Sequence, residues 1–183
     1  MQILNIDDKA LIIRDFLPKD ILNKVRNFNC TDFTDSTKLQ ENPWEKGLYS
    51  TRKKRNLKDV KISLVNTDMF KEVENLIIEN SHIPTRKEKY SFGMAFFFYE
   101  KNSGINWHYD TAYDLNFSLY IHDDWDSNWG GETLIDTERG LPLASIPYPN
   151  TLLCIKRDVK HKVCAVTSDV QRKVLQCRYN FIN

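Results

Sequence analysis

The sequence lacks a long hydrophobic run and a signal-like beginning. No stretch approaches the roughly 18 consecutive apolar residues that a membrane-spanning helix needs. The first residues, MQILNIDDKALIIRDF, place the acidic pair Asp7 and Asp8 where the apolar core of a secretory signal would continue. We therefore expect no membrane partner and a cytoplasmic location.

An excess of charge of one sign and closely spaced cysteines are also missing. Lys and Arg total 26 against 25 Asp and Glu, a net charge of +1, whereas proteins that bind nucleic-acid backbones normally carry a clear basic excess. This balance argues against nucleic acid as a partner, although residues 52–55 form a local basic run. No C-x-x-C spacing occurs, so we interpret the four cysteines as reduced thiols. They are Cys30, Cys154, Cys164 and Cys177.

The two halves of the chain differ in their residue patterns. Residues 10–16 predict a short strand, and apolar residues at helical spacing predict helices from Pro18 to about Phe28 and over residues 67–80. From Tyr90 onward, runs rich in β-branched and aromatic residues are separated by Gly, Pro, Asn and Asp clusters. These runs predict strands at 90–99, 114–121, 131–136, 151–156, 161–166 and 172–182.

Helices followed by consecutive strands are typical of a mainly β (α+β) protein. The length of 183 residues predicts a single domain over 1–183. We expect residues 90–183 to form a closed or sandwiched β-unit of the jelly-roll or cupin type. Residues 1–89 would supply helices that pack on one sheet and a segment that covers the substrate. The basic run within the irregular stretch 31–59 is either a solvated turn or part of a loop over the site mouth.

His108, Asp110 and His161 are the candidate metal ligands. In an extended chain, residues i and i+2 face the same side, so His108 and Asp110 can point inward together. The 53-residue interval to His161 accommodates three strands and their turns, enough to return the chain beside the first ligand. Two imidazoles and one carboxylate suit a ferrous ion whose other face is open to cosubstrate and O2, as in non-haem iron oxygenases. Hydrogen-bonded core histidines and a turn-capping aspartate are the alternative interpretation.

The two other histidines fit a ligand role less well. His122 is also followed two positions later by an acid, Asp124, but lies in the acidic segment HDDWDSNWGG, which we interpret as a solvated turn. That segment does not fit a calcium loop, because Trp129 and Ile135 occupy the positions that require Gly and Glu. His82 has no acidic partner at this spacing, and we interpret it as a surface residue at a helix end.

Arg172, eleven residues after His161, is the candidate cosubstrate residue. A dicarboxylate such as 2-oxoglutarate would bind iron through its 2-oxo acid end and leave its far carboxylate in need of a partner. A guanidinium offers a flat two-pronged donor that stays charged. Alternation along the last strand gives Arg172 a mixed-polar face, which also carries Val174, Gln176 and Arg178, and we expect that face to line the site. A surface salt bridge is the alternative role for Arg172.

With these residues in place, the segment from about 90 to 182 resembles the prolyl-4-hydroxylase-like branch of the 2-oxoglutarate/Fe(II)-dependent dioxygenases. The matching pieces are HYD at 108–110, LYIHDDWD at 119–126, GGE at 130–132, and HKV at 161–163 followed by Arg172. The resemblance implies a double-stranded β-helix and Fe(II) held by His108, Asp110 and His161. It implies 2-oxoglutarate and O2 as cosubstrates, with ascorbate as an optional reductant. It also implies that Arg172 binds the cosubstrate carboxylate with help from Tyr120 and Tyr99.

Two departures from the family pattern fall where substrate should bind. The family often has an aromatic residue where Arg178 stands, and a tyrosine and a proline just before the first histidine, where this chain has Ile105, Asn106 and Trp107. We therefore expect Arg178 and Trp107 to contact substrate, and we do not carry over prolyl specificity directly. Arg178 favours a substrate with a carboxylate or another anion, unless it serves the 2-oxoglutarate end.

The sequence thus predicts an enzyme that couples oxidative decarboxylation of 2-oxoglutarate to hydroxylation of a prolyl, peptidyl or small amino-acid-like substrate. Retention of Asp110 favours hydroxylation over halogenation, since related halogenases replace this carboxylate. One alternative is an oxidative nucleic-acid demethylase of the same superfamily, which would use Arg172 and Arg178 as an R-x5-R pair. The other is a cupin-like metal-binding module without catalysis, although a structural metal more often has four protein ligands. The oligomeric state stays open.

Overall fold

Strands in two sheets dominate the computed structural model, which describes residues 2–6, 8–35, 60–80, 89–137 and 140–182. Our predictions for residues 36–59 and for His82 lie outside these ranges. The helices of the described residues are α1 (Lys19–Arg26) and α2 (Lys71–Asn80), with 3-10 turns at Thr67–Phe70 and Ser127–Trp129. The strands are β1 (Gln2–Ile6), β2 (Ala10–Arg14), β3 (Thr34–Asp35), β4 (Lys61–Val65), β5 (Tyr90–Tyr99), β6 (Ile105–His108), β7 (Leu115–Tyr120), β8 (Thr133–Ile135), β9 (Leu143–Ser145), β10 (Leu152–Lys156), β11 (His161–Val163) and β12 (Arg172–Phe181).

The strands form a large and a small antiparallel sheet. The large sheet has the order β1-β2-β10-β7-β12-β5-β4-β3, and the small sheet has the order β6-β11-β8-β9. Strands β7 and β10 are neighbours in the large sheet although β8 and β9 of the small sheet lie between them in the chain. The chain therefore crosses from one sheet to the other and back, as in a jelly roll.

Side-chain alternation divides the interior into two layers. One face of the large sheet packs against the small sheet, where Phe97, Leu153 and Val174 meet Ile135 and Val163. The opposite face packs against the helices, in a layer that also contains Phe96, Leu175 and Cys177 from the sheet with Leu22, Val25, Val73 and Ile77 from α1 and α2. The prediction that N-terminal helices pack on one sheet is confirmed, and the inter-sheet layer leaves room at one end for a site.

Local chemistry explains where both helices begin. Pro18 precedes the first turn of α1, where its fixed φ suits a helix start and its missing N–H costs no hydrogen bond. The side chain of Asn66 accepts a hydrogen bond from the backbone N–H of Asp68 at the turn that leads into α2. In the described part of the chain, no helix combines the length and apolar character that crossing a bilayer requires.

Five strands were not predicted: β1, β3, β4, β6 and β9. The N-terminal half therefore contributes four strands to the large sheet in addition to its helices. These five strands have two to five residues each, too few to show a clear alternation, and their pairing with neighbouring strands stabilises them. Strand β6 matters most for function because it carries His108.

Candidate metal centre

His108, Asp110 and His161 converge on one point. His161 on β11 lies directly opposite His108 on β6 in the antiparallel pairing, and their ring centroids are 4.1 Å apart. Asp110 follows the end of β6 and faces both rings, with its carboxylate oxygens 3.7 Å from Nε2 of His108 and 3.4 Å from Nε2 of His161. The three ligand atoms all lie within 4.8 Å of one another, so they can bind a common ion. The predicted convergence is confirmed.

Backbone hydrogen bonds hold both rings in the orientation that a metal needs. Nδ1 of His108 donates to the carbonyl of Asn106 at 2.7 Å, and Nδ1 of His161 donates to the carbonyl of Val159 at 2.9 Å. With the proton on Nδ1, the lone pair of each Nε2 points toward Asp110. Such outer hydrogen bonds are the usual way in which proteins set the tautomer of a metal-binding histidine.

The charge states of the site also suit a metal. Burial, together with the nearby His161, lowers the pKa of His108 to about 4. Burial raises the pKa of Asp110, but the interactions with His161, His108 and Arg178 outweigh burial, so that the net pKa is lowered. Near neutral pH, His108 is therefore neutral and Asp110 is ionised, which are the forms that bind a cation.

Arg172 lies in the same cavity as the ligands and is almost completely buried, with 1% of its surface exposed. Its guanidinium lies over the rings of Tyr99 and Tyr120, at 4.5 Å and 4.9 Å from their centroids. Nη2 donates to the hydroxyl of Thr133 at 3.3 Å, whereas Nε has no hydrogen-bond partner and no carboxylate among the described residues pairs with the charge. A buried cation of this kind is costly unless an anion binds beside it.

Thr133 is a site residue that the sequence analysis missed. Its buried hydroxyl is 3.3 Å from both the Tyr120 hydroxyl and Arg172 Nη2. Thr133 follows the GGE motif directly, and β8 pairs with β11 so that Thr133 lies opposite Val163. Its position directly after that motif, as the first residue of the alternating Thr-Leu-Ile strand, could have indicated an inward-facing side chain.

The glycines of the GGE motif permit the close approach of this loop to Arg172. Gly131 has a φ of +70°, and a Cβ atom there would lie 3.1 Å from Cδ of Arg172 and 3.0 Å from the ring of Trp125. A Cβ atom on Gly130, at a φ of +72°, would collide with the carbonyl oxygen of Ala165. Both positions therefore require glycine for conformation as well as for space.

The predicted inward face of β12 does line the cavity. Arg172, Gln176 and Arg178 all contribute to its wall, and Ser118 donates to the Gln176 side chain at 2.8 Å. Nδ2 of Asn116, also in this wall, is buried without a hydrogen-bond partner among the described residues. Apolar side chains complete the wall beside the metal ligands; they are Phe97, Ile105, Ile155 and Val163.

The two predicted substrate residues lie in different places. Arg178 lines the cavity, where its guanidinium donates to the Tyr113 hydroxyl at 3.2 Å and lies over the Tyr113 ring. Trp107 is 40% exposed, its ring lies 5.9 Å from the ammonium groups of Lys160 and Lys162, and it is not part of the lining of the cavity. Its role in substrate binding stays a prediction.

The interpretation of His122 as part of a solvated turn is wrong. Its acidic neighbours are exposed, but His122 itself has only 3% of its surface exposed and contacts the ring of Trp125. Nε2 donates to the carbonyl of Pro147 at 2.6 Å, and Nδ1 accepts from the backbone N–H of Lys173 at 3.4 Å. Both ring nitrogens are used in the protein, so His122 is a structural histidine, and its exclusion as a ligand stands.

A family profile described as the 2OG-Fe(II) oxygenase superfamily matches residues 94–180, the segment that contains the three ligands and Arg172. This segment of the chain belongs to the 2OG-Fe(II) oxygenase superfamily. Iron(II), 2-oxoglutarate and O2 are the cofactors of this superfamily, as the resemblance implied. A search of curated proteins finds no match to this oxygenase.

Solved structures support the same fold. A prolyl-4-hydroxylase from Pseudomonas putida has a TM-score of 0.66 at 14% identity, over 94% of this oxygenase and 92% of that chain. A Trichoplax adhaerens prolyl hydroxylase in complex with a peptide fragment of the hypoxia-inducible factor has a TM-score of 0.67 at 15% identity, covering 96% and 84% of the two chains. An α-ketoglutarate-dependent epimerase, SnoN from nogalamycin biosynthesis, has a TM-score of 0.63 at 8% identity over 93% and 77%.

At these identities the similarity concerns the fold, which is the double-stranded β-helix predicted from the sequence. The epimerase shows that one fold hosts different reactions, so the reaction must be argued from the site. The residues of this oxygenase fit the expected cofactors. Three ligands on one side would leave coordination positions for 2-oxoglutarate and O2, and the buried Arg172, whose Nε has no partner among the described residues, would provide the cation for the far carboxylate.

Proposed function

We propose that this oxygenase hydroxylates a prolyl, peptidyl or small amino-acid-like substrate. One observation carries the proposal: the three-ligand cluster and an almost fully buried arginine without an acidic partner among the described residues line one cavity. A dicarboxylate that reaches from the metal to Arg172 satisfies both requirements. The peptide bound to the Trichoplax adhaerens enzyme supports a peptide or amino-acid-like substrate.

The residues of this chain have separate tasks in that reaction. His108, Asp110 and His161 would hold the iron, and Arg172 with Thr133 and Tyr120 would hold and orient 2-oxoglutarate. When bound, iron supplies the redox chemistry by which one O2 converts 2-oxoglutarate to succinate and CO2 and a substrate C–H bond to C–OH. The apolar walls keep the site dry, so that the protein mainly positions and shields the reactants.

The direct test is succinate formation by purified protein with Fe(II), 2-oxoglutarate and O2. We expect slow succinate production without substrate and faster production when candidate peptides or amino acids are added. An anaerobic titration should show a weak visible charge-transfer band only when Fe(II) and 2-oxoglutarate are both present. Protein that binds Fe(II) but shows neither the band nor any succinate would contradict the proposal.

Nucleic-acid demethylation is a second candidate because Arg172 and Arg178, the R-x5-R pair, line the same cavity. A demethylase should bind single-stranded DNA with an affinity that falls steeply as salt rises, because phosphate contacts release counterions. The net charge of +1 favours the first proposal. Measuring DNA binding by fluorescence anisotropy at about 50 and 200 mM salt distinguishes the two.

A further inference from the structure

A surface groove beside the metal cavity has no role in the function described so far. It is lined by Leu64 of β4, Gly93 of β5 and Tyr113, together with Ser91, Met94 and Asn180. Its volume is about 260 Å³, whereas the cavity around the metal ligands has about 40 Å³. Arg178 lines both spaces.

The size of the inner cavity limits what can bind beside the ligands. About 40 Å³ corresponds to only a few water molecules. Bound 2-oxoglutarate would occupy this narrow space and leave little of it for the body of a second organic molecule. Only the group to be oxidised can reach the metal centre, and the rest of the substrate must lie outside it.

The structure of the groove explains where that remainder can lie. Gly93 is inside a ten-residue strand, a position where glycine often marks the close approach of a ligand or another chain. A Cβ atom built on Gly93 meets no atom of the described residues within 4 Å, so among these residues the space above it is open. Leu64 is 83% exposed at the groove wall, and an exposed apolar side chain of this kind can bury surface against a bound molecule.

Arg178 places a positive charge in a fixed position at the junction of the groove and the metal cavity. Its guanidinium lies 4.8 Å from the ring centroid of Tyr113 and 5.7 Å from that of Phe97, and it donates to the Tyr113 hydroxyl. Cross-strand pairing places Arg178 between Gly93 on β5 and Asn116 on β7. Asn116 has a buried amide donor without a partner in the cavity wall. An anion at this junction would therefore meet a held guanidinium and an amide N–H.

We propose that the groove over Gly93 binds an acidic peptide whose carboxylate is held by Arg178 while the neighbouring residue reaches the metal centre. This inference rests on the proposed hydroxylase function and narrows its substrate class. The mixture of an apolar wall, a hydroxyl (Ser91) and an amide (Asn180) suits a peptide, which presents side chains and backbone polar groups in turn. A free amino acid would leave the outer groove empty.

The proposal can be tested by binding, independently of turnover. The probes are two mixtures of hexapeptides with random flanking positions, one with Asp and one with Asn fixed at the third position. The protein is labelled with ¹⁵N and saturated with 2-oxoglutarate in a buffer free of paramagnetic Mn(II). The amide signals of Gly93 and Tyr113 are then followed as peptide is added. We expect the Asp mixture to shift both signals at concentrations at least 10-fold lower than the Asn mixture or free aspartate.

Three variants complete the test. Arg178→Leu should reduce the affinity for the Asp mixture at least 10-fold and leave that for the Asn mixture unchanged. Gly93→Val, which adds a good strand former in open space, should block both mixtures without lowering the melting temperature. Ala144→Val, an exposed strand position outside the groove, is the matched control and should bind like the wild type.

The proposal would be overturned if both peptide mixtures bound with equal affinity, or if free aspartate bound as tightly as the Asp mixture. It would also be overturned if the Gly93→Val variant bound the peptides with wild-type affinity. Absence of any shift with either mixture would overturn it as well. Failure of the proposed function is a separate result: protein that binds the Asp mixture at Gly93 but forms no succinate would leave the groove in place and contradict the hydroxylase activity.

Discussion

At the scale of single residues, the least expected feature is a charged side chain, Arg172, buried among tyrosines. Tyr99 and Tyr120 supply ring faces that favour a cation, and Thr133 supplies one acceptor. These contacts leave part of the guanidinium unsatisfied, and an anionic cosubstrate would complete them. The binding of 2-oxoglutarate should therefore depend on the shape of this group as well as on its charge.

We predict that Arg172→Lys weakens 2-oxoglutarate binding by about 10- to 100-fold, because lysine keeps the charge but loses the two-pronged donor. Iron binding should change little, since Arg172 is not a ligand. The KM for 2-oxoglutarate in succinate formation and an Fe(II) titration measure the two effects. Arg14→Lys, at an exposed position on β2, is the control and should match the wild type. A wild-type KM in Arg172→Lys would contradict the assigned role.

His122 makes a second prediction at this scale, on pH and stability. Burial lowers the pKa of His122 to about 4 from its ordinary value of 6.5. Above pH 6.5 the imidazole is neutral in the folded and unfolded chains. As the pH falls from 6.5 toward 4, the unfolded chain takes up a proton that the folded chain does not, so the free energy of unfolding falls. The total loss is on the order of 3 kcal/mol.

Urea unfolding of the metal-free protein at pH 7.5 and pH 5 should show about 2 kcal/mol of this loss in the wild type, because pH 5 lies about 1.5 units below the unfolded pKa. His122→Gln should be less stable at both values, because hydrogen bonds to Pro147 and Lys173 change, but its stability should depend less on pH. His108 and His161 are present in both proteins, so their contributions cancel in the comparison. An identical pH dependence in wild type and variant would show that His122 is not the responsible group.

At the scale of elements, α1 connects the outer layer to the loop that follows β7. Arg26 at the end of α1 donates from Nε to the carbonyl of Ile121 at 2.9 Å and from Nη2 to the carbonyl of His122 at 2.7 Å. Its ion pair with the exposed Asp123 at 3.5 Å adds little. The helix therefore holds the loop through backbone carbonyls, and the same loop carries Trp125 toward Arg172.

We predict that Arg26→Met destabilises the protein by about 1–3 kcal/mol, because two carbonyls lose charged donors while the packing of the stem is kept. Amide hydrogen exchange should speed up for residues 121–126 more than for α2. Lys24→Met, also on α1, removes only an exposed ion pair with Glu72 of α2 and should cost less than about 1 kcal/mol. Equal effects of the two substitutions would indicate that α1 matters only by its apolar face.

At the scale of the whole molecule, the metal would join parts of the chain that are far apart in sequence. His108 and His161 are 53 residues apart and come together only when the small sheet has formed. Because the site does not exist in the unfolded chain, metal binding should stabilise the fold.

We predict that Mn(II) or anaerobic Fe(II) at about 100 times its dissociation constant adds about 2.7 kcal/mol, and raises the melting temperature by roughly 5–10 °C. Thermal unfolding with metal or with EDTA measures this shift. Asp110→Asn should reduce the shift strongly, since it removes the anionic ligand. Asp169→Asn, which removes only an exposed ion pair with Lys101, should keep the shift. A full shift in Asp110→Asn would place the metal elsewhere.

Local patterns determined the chemistry of this protein. The spacing of His108 and Asp110, the later His161 and Arg172, and the alternation along β12 are properties of neighbouring residues, and these predictions are confirmed in position. The long strands and both helices were predicted for the same reason, since each carries its own periodicity. The function as a 2OG-Fe(II) oxygenase follows from those donors in that order.

Tertiary structure alone decided the features that depend on partners distant in sequence. The short strands form because other strands of the sheets pair with them, and His122 is buried because Pro147 and Lys173 offer it hydrogen bonds across the fold. Thr133 gains a role only when β8 brings it to Arg172, and the open space over Gly93 depends on which side chains fail to reach it. Burial and pairing are properties of surfaces that meet only after folding, and a linear pattern does not contain them.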